Sequence, residues 1–215
     1  AWNSGKVPVI AGGTGLYFKV LEEGLSPVPD VPGPIRDRWR QRLQHEGPHV
    51  LHAELAKAAA GDAARLKPSD SQRIVRALEV LEATGKPLGD HFAAAKQASV
   101  LANAAVRRVA LTPPRAELYQ VCDARFIAMI ERGAVREVQR LLALNLSPAL
   151  PAMKAIGVQA LAAHLRGETS LQDAIALAQR QTRNYAKRQM TWVRNQMTDW
   201  PKVETPHHAI EVLLT

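Results

Sequence analysis

From Ile35 to about Gln97, apolar positions recur every three or four residues, the spacing of helices that each bury one face. Gly47-Pro48, Gly61, Lys67-Pro68 and Gly85 break this stretch into several helices. The best defined starts at Asp70 or Ser71, carries Ile74, Leu78 and Leu81 on one face, and stops at Gly85. A polar residue that can cap the first amides and a terminal glycine stand where a helix needs them. Ahead of it, Pro27 to Pro34 holds four prolines in eight residues, which forbids a helix and makes a semi-rigid connection. Residues 27–98 therefore read as a helical insertion between two parts of a core, 1–26 and 99–215.

The core has fewer strand signals than helix signals. Lys6 to Ala11 is a short β-branched run of the buried type, and Gly12-Gly13-Thr14-Gly15 ends it abruptly. Leu16 to Leu21 then starts a helix. Parallel strands need neighbours on both sides, so further strands are expected before this one. Val106 to Leu111 and Trp200 to Val203 are also predicted strands. Ala116 to Asn145 is predicted helical, with Leu118, Cys122, Phe126, Met129 and Ile130 inward and a pause near Gly133. Asn145 to Pro151 is a predicted turn. Ser170-Leu171-Gln172-Asp173 has the spacing of a capping box, with Asp in place of Glu or Gln, and opens a helix that runs to about Gln196. His207 to Leu214 closes the chain as a helix. The expected class is α/β, mostly helical.

That long helix changes the picture most. At about 100° per residue, Leu171, Ile175, Ala178, Tyr185, Trp192 and Val193 share one apolar third. Arg180, Arg183, Lys187 and Arg194 fall within about 60° on the other side, flanked by Arg188. No acidic residue lies between Asp173 and Asp199. A solvated face usually mixes signs, because like charges four apart repel. A single-signed stripe makes sense where phosphates neutralise it. The whole chain agrees in sign: 28 Lys and Arg against 20 Asp and Glu give a formal charge of +8 over 215 residues. Charge alone does not separate a phosphate-rich partner from an ordinary basic protein.

Other features narrow the chemistry. Glycines at a strand end let a backbone approach a ligand, and the amides that follow favour an anion, so Gly12 to Gly15 is a candidate turn for phosphate. Ser4-Gly5-Lys6 is not a phosphate loop, since Val7 replaces the hydroxyl residue. Gln72, Arg73 and Arg76 open their helix together and suit base edges and phosphates, while pairing of Arg76 with Glu79 is the plainer alternative. Asp30, Asp37, Asp70 and Asp123 are explained as caps or exposed groups, so no catalytic carboxylate pair emerges. Cys122, the only cysteine, is read as core. It excludes an internal disulfide and points to a reducing, cytoplasmic setting. The seven histidines form no zinc pattern. No apolar run approaches the ~20 residues of a membrane span.

Four stretches in order carry a family resemblance: Gly12 to Phe18, Gln72 to Glu79, Ala152 to Gly157, and Thr182 to Trp192, with Leu25 to Pro29 after the first. Together they resemble bacterial tRNA dimethylallyltransferases across nearly the whole chain. The resemblance implies a P-loop-kinase-like parallel core whose helical insertion contacts the tRNA anticodon arm. It implies transfer of a dimethylallyl group from dimethylallyl diphosphate to the N6 amine of the adenine at position 37, with Mg2+ on the diphosphate. It maps tRNA contacts onto Thr14, Arg36, Gln72, Arg73, Arg76, Lys154, Gly157, Gln159, Lys187, Arg188, Gln189, Trp192 and Arg194. Gln159 stands where the family often has Arg. Gly12, Gly13 and Arg183 are assigned to the diphosphate. The family's phosphate loop and its catalytic Asp and Thr are expected to lie before Ala1, so this chain by itself is expected not to catalyse transfer. A monomer without membrane contact is expected. A non-catalytic RNA-binding module and a fragment of a P-loop small-molecule kinase are the alternatives.

Overall fold

The structure, a computed structural model, describes residues 4–94, 97–148 and 150–214. Contacts divide the chain into two compact units, one formed by Leu16–Ala105 and the other by the residues before and after it.

The first unit is helical: α1 (Gly15–Glu23, whose first residue belongs to the other unit), α2 (Gly33–Ala58), α3 (Ala60–Ala63), α4 (Ser71–Thr84) and α5 (Leu88–Ala93). Pro34 sits in the first turn of α2, where a missing N–H costs nothing. Gly47, at φ 80°, kinks α2 just before Pro48, so the predicted break survives as a bend inside one element. Arg42 bridges that bend. It donates to both carboxylate oxygens of Glu46 at 2.6 and 2.8 Å and of Glu54 at 3.0 and 2.6 Å. Those hydrogen bonds hold the Glu46 carboxyl below its ordinary range. Arg42 also covers the ring of Trp39, 4.7 Å from its centroid, while Trp39 Nε1 donates to Glu82 at 2.7 Å.

The core of this unit is the contact of α2 with α4. Leu51, Leu55, Ile74 and Ala77 are fully enclosed, with Leu78 and Val75 beside them. The predicted limits of α4 hold: Asp70 accepts from the Arg73 N–H at 3.4 Å, and Gly85 ends the helix at φ 69°. The break expected at Gly61 falls instead at Ala59, whose extended backbone separates α2 from α3. Its amide still reaches Leu55 O at 2.7 Å, so the chain turns without needing glycine. Buried Asp62 ties α3 to α5 by accepting the Gly89 N–H at 2.9 Å and pairing with Arg65. The predicted helical stretch up to Gln97 includes Ala95 and Lys96, which lie outside the described residues.

The second unit contains β1 (Ala110–Leu111), α6 (Arg115–Glu131), α7 (Ala134–Ala143), a 3-10 turn at Pro151–Lys154, α8 (Val158–Leu165), α9 (Leu171–Gln196), β2 (Lys202–Val203) and α10 (Pro206–Leu214). The strands are parallel, with Ala110 opposite Lys202 and Leu111 opposite Val203. The strands predicted at Val106 to Leu111 and Trp200 to Val203 thus shrink to two residues each. Lys6 to Ala11 forms no strand; Val7 and Val9 are 86% and 84% exposed. A β-branched run becomes a strand only when its backbone groups find a ladder, and no described segment pairs with this one. The predicted turn at 145–151 includes Ala149, outside the described residues.

The core here gathers Phe126, Val138, Ala160, Leu161, Ala174 and Ala178 from α6 to α9. Met129 is 38% exposed instead of inward. The buried line along α6 is Cys122 and Phe126 with Ile130 partly covered, and Met129 stands a quarter-turn off that line. Gly157 starts α8 at φ 94°, and a Cβ there would meet the Phe126 ring at 2.9 Å.

Leu55→Ala is expected to cost about 2–5 kcal/mol by leaving a cavity between α2 and α4. Gly157→Ala should destabilise the second unit through both backbone strain and the clash with Phe126. Urea unfolding checks both, and midpoints unchanged from the parent would contradict this account of the cores.

Candidate nucleic-acid interface

The long helix α9 is set by its start. Ser170 Oγ accepts the Asp173 N–H at 3.1 Å and donates to the Asp173 carboxylate at 2.6 Å. The short Asp is therefore engaged by the serine hydroxyl, and the box closes through side chains.

The buried face of α9 falls on the predicted apolar side, but smaller residues hold its most enclosed positions. Ala174, Ala178, Thr182 and Ala186, each four residues apart, form the enclosed seam. Of the predicted apolar set only Ala178 is fully buried, and Tyr185 is 40% exposed. Small side chains let helices approach closely, and α6 and α8 are the helices packed on α9. Thr182 satisfies its hydroxyl by donating to Ala178 O at 2.9 Å.

The basic stripe is divided by its surroundings. Arg183 is half-buried and donates through one terminal nitrogen to both oxygens of Asp123 on α6, at 2.7 and 2.6 Å. Gln179 adds a hydrogen bond to the Asp123 carbonyl at 3.1 Å. Asp123 is thus neither a cap nor a merely exposed group, as had been expected, but the partner of a stripe arginine. Sequence periodicity within α9 could not reveal an acid on a different helix.

Further along, the polar side of α9 borders a groove of about 470 Å³. Asn184, Lys187, Arg188, Thr191, Trp192, Asn195 and Gln196 line it. A second recess of about 270 Å³ shares Asn184 and Arg188 and adds Lys154, Ala155, Ile156, Gln159 and Gln181. The turn before α8 and the second half of α9 therefore bring Lys154, Gln159, Lys187, Arg188 and Trp192 to one surface. No carboxylate lines either recess. Gln159 also donates to Met153 O at 2.8 Å, which fixes the turn carrying Lys154. Arg188 stacks over Tyr185, 5.6 Å from the ring centroid. Arg180 and Arg194 are exposed outside this lining, and Arg194 donates to Asn195 at 3.3 Å.

Sequence reasoning passed over the uncharged members, Gln181, Asn184, Thr191 and Asn195. Their signal was present: residues 181, 184, 188, 191 and 195 are spaced by three and four, a polar stripe around Arg188.

The glycine turn also reaches α9. Gln189 Nε2 donates to Gly13 O at 2.9 Å, and Gly15 abuts the indole of Trp192. Gly12 and Thr14 are exposed. Trp192 is half-buried, with its Nε1 enclosed and unpartnered among the described residues. Gly157 is buried against Phe126.

The other candidate residues lie in the helical unit. Arg36 is 3.9 Å from Asp30, Arg73 is 3.4 Å from Asp70, and Gln72 is exposed. Arg76 pairs with Glu79 at 3.5 Å, as the plainer alternative had it, although Glu79 is buried. Among the described residues, no three His, Cys, Asp or Glu side chains gather to hold a metal ion, and no helix is long and apolar enough to cross a membrane.

The family model described as IPP transferase matches residues 1–196. The chain is 50% identical over 197 residues to the tRNA dimethylallyltransferase of Rhodospirillum centenum, covering 92% of this chain and 62% of that protein. It is 48% identical over 205 residues to the tRNA dimethylallyltransferase of Rhizobium meliloti, covering 95% and 67%. The matched part thus spans 62–67% of these relatives' own length. The solved full-length tRNA isopentenylpyrophosphate transferase of Bacillus halodurans aligns over 99% of this chain and 66% of its own, with a TM-score of 0.59 and 26% identity. A eukaryotic dimethylallyltransferase acting on tRNA aligns over 99% and 55%, with a TM-score of 0.72; at 23% identity, that likeness is one of fold.

The Asp123–Arg183 pair is expected to couple α6 to α9 by roughly 0.2–1 kcal/mol, the range for ion pairs that water still reaches. A double-mutant cycle with Asp123→Ala and Arg183→Ala, read by urea unfolding, measures it; strictly additive losses would contradict the pairing.

Proposed function

This chain belongs to the IPP transferase family, and on that premise we propose that its α9 groove grips the anticodon stem-loop of a tRNA for dimethylallyl transfer. The observation that carries the proposal is the acid-free surface joining Lys154, Lys187 and Arg188 to Trp192 and a row of carboxamides. Lysine and arginine neutralise phosphates and release their counterions. Trp192 and the Asn and Gln side chains suit unstacked bases, the usual targets of RNA recognition. The modified adenine would be turned out of its loop, as chemistry on a base requires.

In the proposed reaction the N6 amine of adenine 37 forms a C–N bond to the dimethylallyl carbon. The C–O bond to diphosphate breaks, and N6 gives up a proton. Gly12, Gly13 and Arg183 are proposed to face the diphosphate, with Asp123 leaving two of the three Arg183 nitrogens unoccupied by that pair. Thr14, Arg36, Gln72, Arg73, Arg76, Gly157 and Arg194 complete the proposed RNA contacts. A P-loop-kinase-like core is part of this reading, as is a cytoplasmic monomer. Mg2+ is proposed to enter with the diphosphate, as the resemblance implies.

The test is the affinity of the chain for a labelled anticodon stem-loop as salt is raised. Lys187→Ala with Arg188→Ala should flatten the plot of log affinity against log salt by roughly 1–2 slope units. Arg166→Ala, which removes an arginine paired with Glu168 outside the groove, should leave the slope unchanged. Absence of affinity even at low salt would refute the RNA reading. Loss of slope at Arg166 but not at the pair would move the interface elsewhere.

A further inference from the structure

Gln189 belongs to the basic half of α9, where the family resemblance makes it an RNA contact. Its side chain is instead occupied within the protein. The amide Nε2 donates to the carbonyl of Gly13, 176 residues away in sequence, at 2.9 Å. The absence of a Cβ at Gly13 leaves the space that the Gln189 amide occupies. Gly13 is not among the glycines with positive φ, so its backbone suits any residue, yet a Cβ would fall on the Gln189 amide. Gly15 repeats the arrangement one helical turn further along α9. Its φ is also unremarkable for an L-residue, and a Cβ would fall on the Trp192 indole. Two glycines of one turn thus lie against side chains three residues apart on α9, the spacing of neighbours on a helix face.

The hydrogen bond fixes more than position. The peptide between Gly13 and Thr14 is trans and planar, so its C=O and N–H point in opposite directions. With the Gly13 carbonyl held on Gln189, the Thr14 N–H is directed away from α9. That amide makes no hydrogen bond among the described residues, and Thr14 is exposed. An oriented, unbonded amide in a glycine turn is a donor suited to an anionic oxygen.

We infer that Gln189 is a positioning residue: its amide clasps the Gly13 carbonyl and thereby sets the Thr14 N–H as a fixed donor to a phosphate oxygen. This rests on the proposed function only in taking the phosphate from that reaction, either from the RNA backbone or from the diphosphate donor. The inference separates Gln189 from Lys187 and Arg188. Those act on the ligand directly, whereas Gln189 acts through the turn.

The experiment uses the whole chain, labelled with 15N, and two ligands: an anticodon stem-loop RNA and inorganic pyrophosphate. In the parent protein, the Thr14 amide cross-peak should shift on addition of whichever ligand supplies the phosphate, and the responding ligand identifies the source. Gln189→Met keeps length and removes the donor; Gly13→Ala displaces the amide from the other side. Each should weaken binding of the responding ligand by about 3–10-fold, the range for one hydrogen bond. The double variant should be no weaker than either single one, because both break the same clasp. Folding of each variant is verified by the cross-peaks of the α6–α8 core. Losses that add would overturn the inference, since Gln189 would then touch the ligand independently. A Thr14 amide that answers to neither ligand would overturn it as well. A response to pyrophosphate without RNA binding would uphold the clasp while refuting the RNA reading.

Discussion

Everything proposed for this molecule depends on helix α9 keeping like charges on one side while burying alanines on the other. Repulsion among Arg180, Arg183, Lys187, Arg188 and Arg194 opposes the helix, and no acid within α9 relieves it between Asp173 and Asp199. The helix is nonetheless anchored, because the seam from Ala174 to Ala186 lets α6 and α8 pack on it. One arginine is neutralised from outside by Asp123. The rest remain toward solvent, and two of them, Lys187 and Arg188, border the groove. The charge left uncompensated by the fold is the charge available to a ligand.

Much of this was legible in the sequence where a single segment decided the outcome. The cap at Asp70, the stop at Gly85 and the start of α9 at Ser170 depend on residues within one turn of each other, and they stand as predicted. The helical character of the insertion followed from periodicity in the same way. Long-range contacts were less legible. Lys6 to Ala11 has the composition of a strand, but a ladder also needs a partner, which composition does not specify. The apolar side of α9 was legible, but its small members other than Ala178 were not, because a wheel weighs large apolar residues most, whereas close helix contact selected alanine and threonine. Asp123 was misread for a related reason: its partner, Arg183, is 60 residues away.

The candidate site was legible in its charges and only in part in its neutral residues. Lys154, Lys187, Arg188 and Trp192 were singled out beforehand, and they share one surface. Gln181, Asn184, Thr191 and Asn195 complete it, and each is unremarkable alone. Gln189 was assigned to the RNA by the family resemblance, yet its amide is bound to Gly13. Family membership and geometry contribute different things here. Membership supports the proposed chemistry, and the geometry distinguishes groups left free to face a ligand from groups bonded within the protein.

The central claim is that Lys154 and Lys187 lie under the bound RNA. Acetylation of lysines, with and without a saturating anticodon stem-loop and quantified by mass spectrometry, tests it most directly. The account predicts that RNA slows modification of both, while Lys202, whose ammonium is bonded to the backbone at Thr198 and Trp200, keeps its rate. Unchanged modification of Lys154 and Lys187 under saturating RNA would contradict it.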